Sequence, residues 1–174
     1  MERDAKMNKN ADNNVIFLDV DGVLNCRSNP RIDQLKVRRL ASIVQQTDAS
    51  IILHSGWKLW FDEHMSPQTA EAMDLVNALS AEGLSLKDKT PDFSTPRIRK
   101  SKEFSKKKAS EILAWLLRFP DIKNWCVIDD LDLQNDIIER HQIRPDSAIG
   151  LSEDDVEKAV HILNSNEHMY PSQW

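Results

Sequence analysis

The 174-residue sequence predicts an α/β fold, with a central, mostly parallel sheet between two layers of helices. Two observations predict it. Short continuous apolar runs, of the kind that form strands covered on both faces, alternate with longer stretches of helical periodicity. Three of these runs also end in carboxylate or hydroxyl side chains. Val15-Ile16-Phe17-Leu18 leads into Asp19-Val20-Asp21-Gly22, Ile51-Ile52-Leu53-His54 into Ser55-Gly56, and Trp125-Cys126-Val127-Ile128 into Asp129-Asp130. In open parallel sheets the working residues lie beyond the carboxyl ends of the strands, so these three ends should converge on one crevice.

Taken in order, Val15–Asp19 reads as the first strand and Arg31–Gln46 as a helix with Ile32, Leu35, Leu40, Ile43 and Val44 as its apolar stripe. Ser50–His54 is a second buried strand. Pro67–Glu82 reads as a helix, Pro67 suiting a first helical position and Gly83 its stop. Leu84–Leu86 reads as a short strand, and Lys87–Lys102, with Pro91 and Pro96, as irregular. Lys106–Arg118 is helical, with Ile112, Leu113, Leu116 and Leu117 apolar, and Pro120 ends it. Trp125–Ile128 is a strand, Gln134–His141 a helix and Ala148-Ile149 a last short strand. Ser152-Glu153-Asp154-Asp155 opens a final helix to about Asn164, with a capping-box pattern and acids in its first turn.

One domain of ordinary globular composition is expected, with 40% apolar and 29% charged residues. The net charge of −5 excludes general adhesion to nucleic acid or anionic membrane, leaving only local patches for such contacts. No apolar stretch approaches the roughly 18 residues of a membrane span. Residues 1–14 are polar and charged and read as a disordered arm rather than a secretory signal. The domain is expected over 15–165 and a tail over 166–174. The two cysteines, Cys26 and Cys126, imply neither a disulfide framework nor a zinc site, so a cytoplasmic location is expected.

Asp19 and Asp21, two residues apart at a strand exit, are equipment for phosphoryl transfer through a covalent aspartyl-phosphate. Asp19 is the candidate nucleophile. Asp21 would protonate the leaving oxygen and then take a proton from the hydrolytic water. A carboxylate attacks a phosphate poorly unless their repulsion is screened, which calls for Mg2+ and its preference for hard oxygen ligands. Asp19, Asp21, Asp129 and Asp130 are the candidate metal residues, with Asp129 and Asp130 completing the carboxylate shell, and Gly22 lets the backbone fold close to the site. Ser55 and backbone amides near Gly56 could hold phosphate oxygens, and one of Lys106, Lys107 and Lys108 would neutralise charge on the transferred group.

The first motif, Val15 to Asn25, closely resembles that of the haloacid dehalogenase-like (HAD) superfamily. Ile51-Ile52-Leu53-His54-Ser55 looks like the second motif, the lysines at 106–108 like the third, and Val127-Ile128-Asp129-Asp130 like the fourth. Ser55-Gly56-Trp57-Lys58, Thr90-Pro91, Lys108-Ala109-Ser110-Glu111-Ile112 through Trp115-Leu116, and Ile128-Asp129-Asp130 are similar to a bacterial and phage subgroup. That subgroup is named for HAD domains of RNA-repair proteins. The resemblance implies a Rossmann-like fold, Mg2+ and phosphatase activity. It assigns Asp19 as nucleophile, Asp21 as acid/base, Ser55 and Lys108 as phosphate binders with Lys107 as the fallback, Asp129 as metal acid, and the Asp21 carbonyl as a further ligand. Gly56, Trp57 and Lys58 join the substrate-binding set.

Larger members of the superfamily carry a cap over the site. About ten residues separate Asp21 from the first helix and about 50 separate Ser55 from Lys106. A small lid at most is therefore expected, from Trp57–His64 and Lys87–Lys102. Arg97–Lys108 carries seven basic residues and one acid, so it holds +6 within a chain of net −5. It could track a nucleic-acid backbone while Trp57, Trp60 and Phe61 stack bases; the competing reading is a solvated loop with its tryptophans in the core. The leading expectation is a Mg2+-dependent phosphatase acting on a phosphate monoester, with nucleotides and nucleic-acid ends as candidate substrates. The alternatives are a catalytically silent phosphate-end-binding module and a phosphoprotein phosphatase.

Overall fold

In the computed structural model, which describes residues 14–165, each apolar run becomes a strand of one sheet. The strands are β1 (Asn14–Leu18), β2 (Ser50–Leu53), β3 (Leu86–Lys89), β4 (Asn124–Ile128) and β5 (Gln142–Ile143). They lie in the order β3-β2-β1-β4-β5, and every neighbouring pair is parallel. The chain therefore winds outward from β1 through β2 to β3, then returns to β1's other side for β4 and β5. β1 and β4 flank the switch point, where a crevice opens beyond the strand ends.

Side chains on a strand alternate between faces, and the two cores follow that alternation. Ile16, Leu18, Ile51, Leu53, Cys126 and Ile128 face one core, which is closed by helices α1 (Gln34–Thr47), α2 (Ala70–Ser80) and α6 (Glu153–Asn164). Val15, Phe17, Ile52, Trp125 and Val127 face the other, closed by α4 (Glu103–Arg118) and α5 (Asp136–Glu139). Phe17 meets Trp115 of α4 edge-on, with ring centroids 5.3 Å apart. This is the three-layer α/β sandwich expected from the sequence.

Several boundaries differ from the sequence reading. α1 begins at Gln34 rather than Arg31, because the Asp33 carboxylate accepts from the Leu35 amide and caps it. Leu35 consequently points outward, 45% exposed. α2 begins at Ala70, capped by Thr69, while Pro67 pairs with Phe61 in an isolated bridge instead of starting the helix. Gly83 does mark the stop, in the left-handed region at φ +72°. The third strand is Leu86–Lys89, shifted from Leu84–Leu86, because the Leu84 amide is spent on the Leu79 carbonyl closing α2. The stretch read as irregular holds that strand and the short helix α3 (Pro96–Arg99), which Thr95 caps. α4 starts three residues before Lys106, and Leu117 lies on its exposed side. α5 covers only Asp136–Glu139. The last strand is Gln142–Ile143 and not Ala148-Ile149, which lie in a turn whose amides are held by Asp146. The capping box of α6 is present, Ser152 and Asp155 reciprocating.

Between β1 and α1 the chain makes only tight turns and the isolated Cys26–Asn29 bridge. Between β2 and α2 the chain makes a 3-10 turn at Gly56–Trp60 and the isolated Phe61–Pro67 bridge, and between β3 and α4 it makes the short α3. The arm and tail expected over 1–14 and 166–174 lie, Asn14 apart, outside the described residues. Among the described residues no helix is long and apolar enough to cross a membrane.

Candidate active site

Three adjacent strands deliver the site because their ends are tied in register. Leu18 pairs with Ile128 and with Leu53. One residue on, the Asp19 amide donates to the Ile128 carbonyl (2.9 Å) and the His54 amide to the Leu18 carbonyl (2.8 Å). Asp19, His54-Ser55 and Asp129-Asp130 therefore emerge side by side. Carboxylate oxygens of Asp19, Asp129 and Asp130 all lie within 4.8 Å of one another. α4 supplies the counter-charge. Its Ala109, Ile112 and Trp115 pack on the sheet, and Lys108, one turn before Ile112, falls on the same buried face. Lys108 Nζ stands 3.3 Å from Asp19 Oδ1 and pairs with Asp129 Oδ2. Of the three candidate lysines, Lys108 enters the site, while Lys106 is exposed and Lys107 half-buried outside the crevice lining.

The cluster is short of positive charge. Burial, with repulsion from Asp129 added and Lys108 only partly offsetting, pushes the Asp19 carboxyl up to about 7. Burial and the Asp19 charge raise Asp130 to about 6. Asp129 is also raised, mainly by burial. Burial alone would lower Lys108, but Asp19 and Asp129 outweigh it and hold the ammonium above its usual value. His54 lies wholly buried with Nε2 3.6 Å from Asp129 Oδ2, yet adds no charge. Burial, and then the Lys108 and Lys58 ammoniums, keep it well below 6.5 and neutral. Three ionised carboxylates against one ammonium leave two uncompensated negative charges among hard oxygen donors. A divalent cation such as Mg2+ fits that deficit in charge and in chemistry.

The Asp21 carboxylate is placed differently from that of Asp19, whereas the part expected of Asp21 in the metal set is that of its backbone carbonyl. Its side chain stands apart from the cluster and is exposed to the crevice, with both oxygens held. Oδ1 accepts from Asn25 Nδ2 and Oδ2 from Trp57 Nε1, each at 2.9 Å. Gly22 makes this separation possible. It sits at φ +77°, and a Cβ there would come 2.6 Å from Asp130 Oδ2. Its amide donates to Asn25 Oδ1 (2.8 Å), closing the loop that presents Asp21.

Asp19, Asp21, Ser55, Gly56, Lys108 and Asp130 together line a crevice of about 520 Å³. Trp57 reaches the chemistry through Asp21. Lys58, expected among the substrate binders, faces away. Its ammonium is buried against Glu111 Oε2, Thr90 Oγ1 (3.2 Å) and the Pro91 carbonyl (2.9 Å). Glu111 Oε1 in turn accepts from the Phe93 amide (2.8 Å). This pair fastens the 3-10 turn and the 90–93 loop to α4, one turn beyond Lys108. Of the two readings weighed for the aromatics after Ser55, base stacking and packing in the core, their placement matches packing in the core. Phe61 is buried, and Trp60 packs against Trp57 (5.0 Å between centroids) and the core. Sequence reasoning assigned no role to His54, Thr90, Glu111 or Asn25. The available signal was a polar side chain closing or following an apolar run, which marks a buried group in need of partners.

This arrangement, with acids at a switch point and a lysine from the following helix, is that of a HAD-like domain. A protein-family model described as "HAD domain in Swiss Army Knife RNA repair proteins" matches residues 15–156, and the chain belongs to that family. Comparisons with curated proteins and with solved structures return no match. Membership points to a hydrolase-type activity.

Proposed function

We propose that the protein is a Mg2+-dependent phosphatase that hydrolyses a phosphate monoester through an aspartyl-phosphate on Asp19. The observation that carries this reading is the division of the acids. Asp19 shares a buried cluster with Lys108, whereas Asp21 is held outside it by Asn25 and Trp57. In the first step Asp19 attacks phosphorus, the bond to the leaving oxygen breaks, and Asp21 delivers a proton to that oxygen. In the second, water attacks the same phosphorus and gives its proton to Asp21; the bond to Asp19 breaks and inorganic phosphate leaves. Lys108 neutralises charge on the transferred group, and Ser55 with the Gly56 backbone lines the phosphate side of the crevice. Asp19, Asp129 and Asp130 would hold Mg2+, which supplies screening between nucleophile and phosphate.

The intact acid set supports turnover over a silent binding module. Nucleotides and nucleic-acid ends are the substrates we favour, because α4, which brings Phe104 and Lys108 into the crevice, follows exposed Arg97, Lys100 and Lys102. The test is release of phosphate from a generic aryl phosphate with Mg2+, by wild type and Asp19→Asn. Activity in the wild type that disappears in the variant is expected; activity that survives in the variant removes Asp19 as nucleophile. Phosphorylated oligonucleotides compared with phosphopeptides separate the nucleic-acid reading from a phosphoprotein phosphatase.

A further inference from the structure

The crevice is larger than one phosphate needs, and among the described residues that line it only Lys108 and Arg27 are cationic. Lys108 is fully engaged with Asp19 and Asp129. Arg27 has no carboxylate within ion-pair distance among the described residues. It is nevertheless held in place: its amide donates to the Ser147 carbonyl (2.9 Å) and its Nη2 to Ser147 Oγ (3.1 Å). The strongly basic segment supplies no comparable group. Arg99 is paired with Asp92 and Ser94, and Arg97, Lys100, Lys102, Lys106 and Lys107 do not line the crevice. An arginine anchored by one hydroxyl still presents further N–H donors in a planar fork suited to a phosphate. The other charged residues of the lining are the carboxylates Asp19, Asp21 and Asp130, which leaves the exposed Arg27 guanidinium as the group on which an anion in the crevice would meet uncommitted positive charge.

We propose that Arg27 is a specificity-determining residue that binds a second phosphate carried by the leaving group of the substrate. The inference rests on the phosphatase reading and deepens it. The preferred substrate is a phosphate monoester with a neighbouring phosphate, met either in a free bisphosphate or in the phosphodiester next to a phosphorylated polynucleotide end. Cys26 and Pro30 flank Arg27 on the same wall, and Phe104 adds an aromatic face to the crevice that a base attached to such a substrate could use.

The test compares three substrates: an aryl phosphate, a nucleoside 3′,5′-bisphosphate and a short oligonucleotide with a terminal phosphate. Each is assayed with wild type, Arg27→Gln and Ser147→Ala. The expected result is that Arg27→Gln lowers kcat/KM for a bisphosphorylated substrate, relative to the aryl phosphate, at least tenfold and mainly through KM. Ser147→Ala, which keeps the charge, should lower that ratio less. Equal losses on all substrates, or equal effects of the two variants, would make Arg27 a structural pin and overturn the proposal. Whichever of the bisphosphate and the oligonucleotide shows the larger Arg27 effect identifies the source of the second phosphate. Equilibrium binding of the bisphosphate to Asp19→Asn protein, with and without Arg27→Gln, separates the two claims. Arg27-dependent binding without wild-type turnover sinks the phosphatase and keeps the subsite; turnover with Arg27-independent binding does the reverse.

Discussion

Replacing the proposed nucleophile, Asp19, should make the metal-free protein more stable. Asp19→Asn is isosteric and keeps an oxygen for Lys108, but removes one of three carboxylates packed against a single ammonium. Raising the Asp19 carboxyl from its ordinary 3.8 to about 7 corresponds to a penalty of about 4 kcal/mol on the folded, ionised form at pH 8. Relaxation and water entry trim such penalties, so about 2–4 kcal/mol of stabilisation is expected. The sign follows from proton binding. Between pH 3.8 and about 7 the folded state holds a proton on Asp19 that the unfolded chain has lost. Wild-type stability therefore falls as pH rises through that window, and the penalty is complete above it. Urea denaturation in EDTA at pH 8 should place Asp19→Asn above wild type. Thermal melts should show a Tm rise of roughly 4–16 °C for a domain of this size. The advantage should shrink below about 1 kcal/mol near pH 4. Saturating Mg2+ should narrow it at pH 8, since the metal gains more from three carboxylates than from two. A variant no more stable than wild type at pH 8 without metal, or an advantage unchanged at pH 4, would refute the picture of an undercompensated acidic cluster.

Other substitutions probe the supports of that cluster. Gly22→Ala forces a side chain to within 2.6 Å of Asp130 Oδ2 at φ +77°; it should cost about 1–3 kcal/mol in denaturation and weaken the Mg2+-induced rise in Tm. Lys58→Met leaves Glu111 buried without its cation and should cost about 3–5 kcal/mol, much of it recovered in the Lys58→Met/Glu111→Met double variant. A small loss in the single variant would mean that the pair contributes little. Trp57→Phe deletes one of the two donors to Asp21; kcat should fall roughly 5–30-fold with little change in KM, the equivalent of about 1–2 kcal/mol. An effect on KM alone would instead place Trp57 in substrate binding.

The residues legible in the sequence were those fixed by strand periodicity. Asp19, Ser55 and Asp129-Asp130 each follow a continuous apolar run, so their place at the sheet edge needs only the parallel topology. The lysine run left three candidates, and only the resemblance of its helix to the family motif favoured Lys108, the one that α4 turns inward. Partners that come from distant turns were not legible. Trp57 is 36 residues from the Asp21 it holds, and Glu111 is 53 from Lys58. Neither has a periodic signal, because one hydrogen bond made across the fold leaves no local pattern. Lys58 misled for the same reason. A lysine after a phosphate-binding turn reads as a ligand to phosphate, and only the tertiary packing of Glu111 turns it inward. The short β5 was misplaced because an apolar pair, Ala148-Ile149, outweighed Gln142-Ile143. What decided the matter was β4 pairing, with the Val127 amide on the His141 carbonyl and the Asp129 amide on that of Ile143.

The same packing accounts for both the cost of this site and its chemistry. A buried carboxylate that resists ionisation near pH 7 is a poor nucleophile without help, and three such groups destabilise the fold that gathers them. The fold limits the damage with Lys108, which serves two of the acids, and leaves a deficit of two charges for a divalent ion. Asp21 escapes this economy. Held in the crevice by Asn25 and Trp57, it is the group that our phosphatase proposal uses to exchange protons with a leaving group and with water while Asp19 stays with Lys108. Gly22 lets the turn between them pass close to Asp130, since a Cβ there would come 2.6 Å from Asp130 Oδ2 and force a shift. The spacing of two residues between Asp19 and Asp21 is thus long enough to cross from a buried, charge-crowded site to a solvated one.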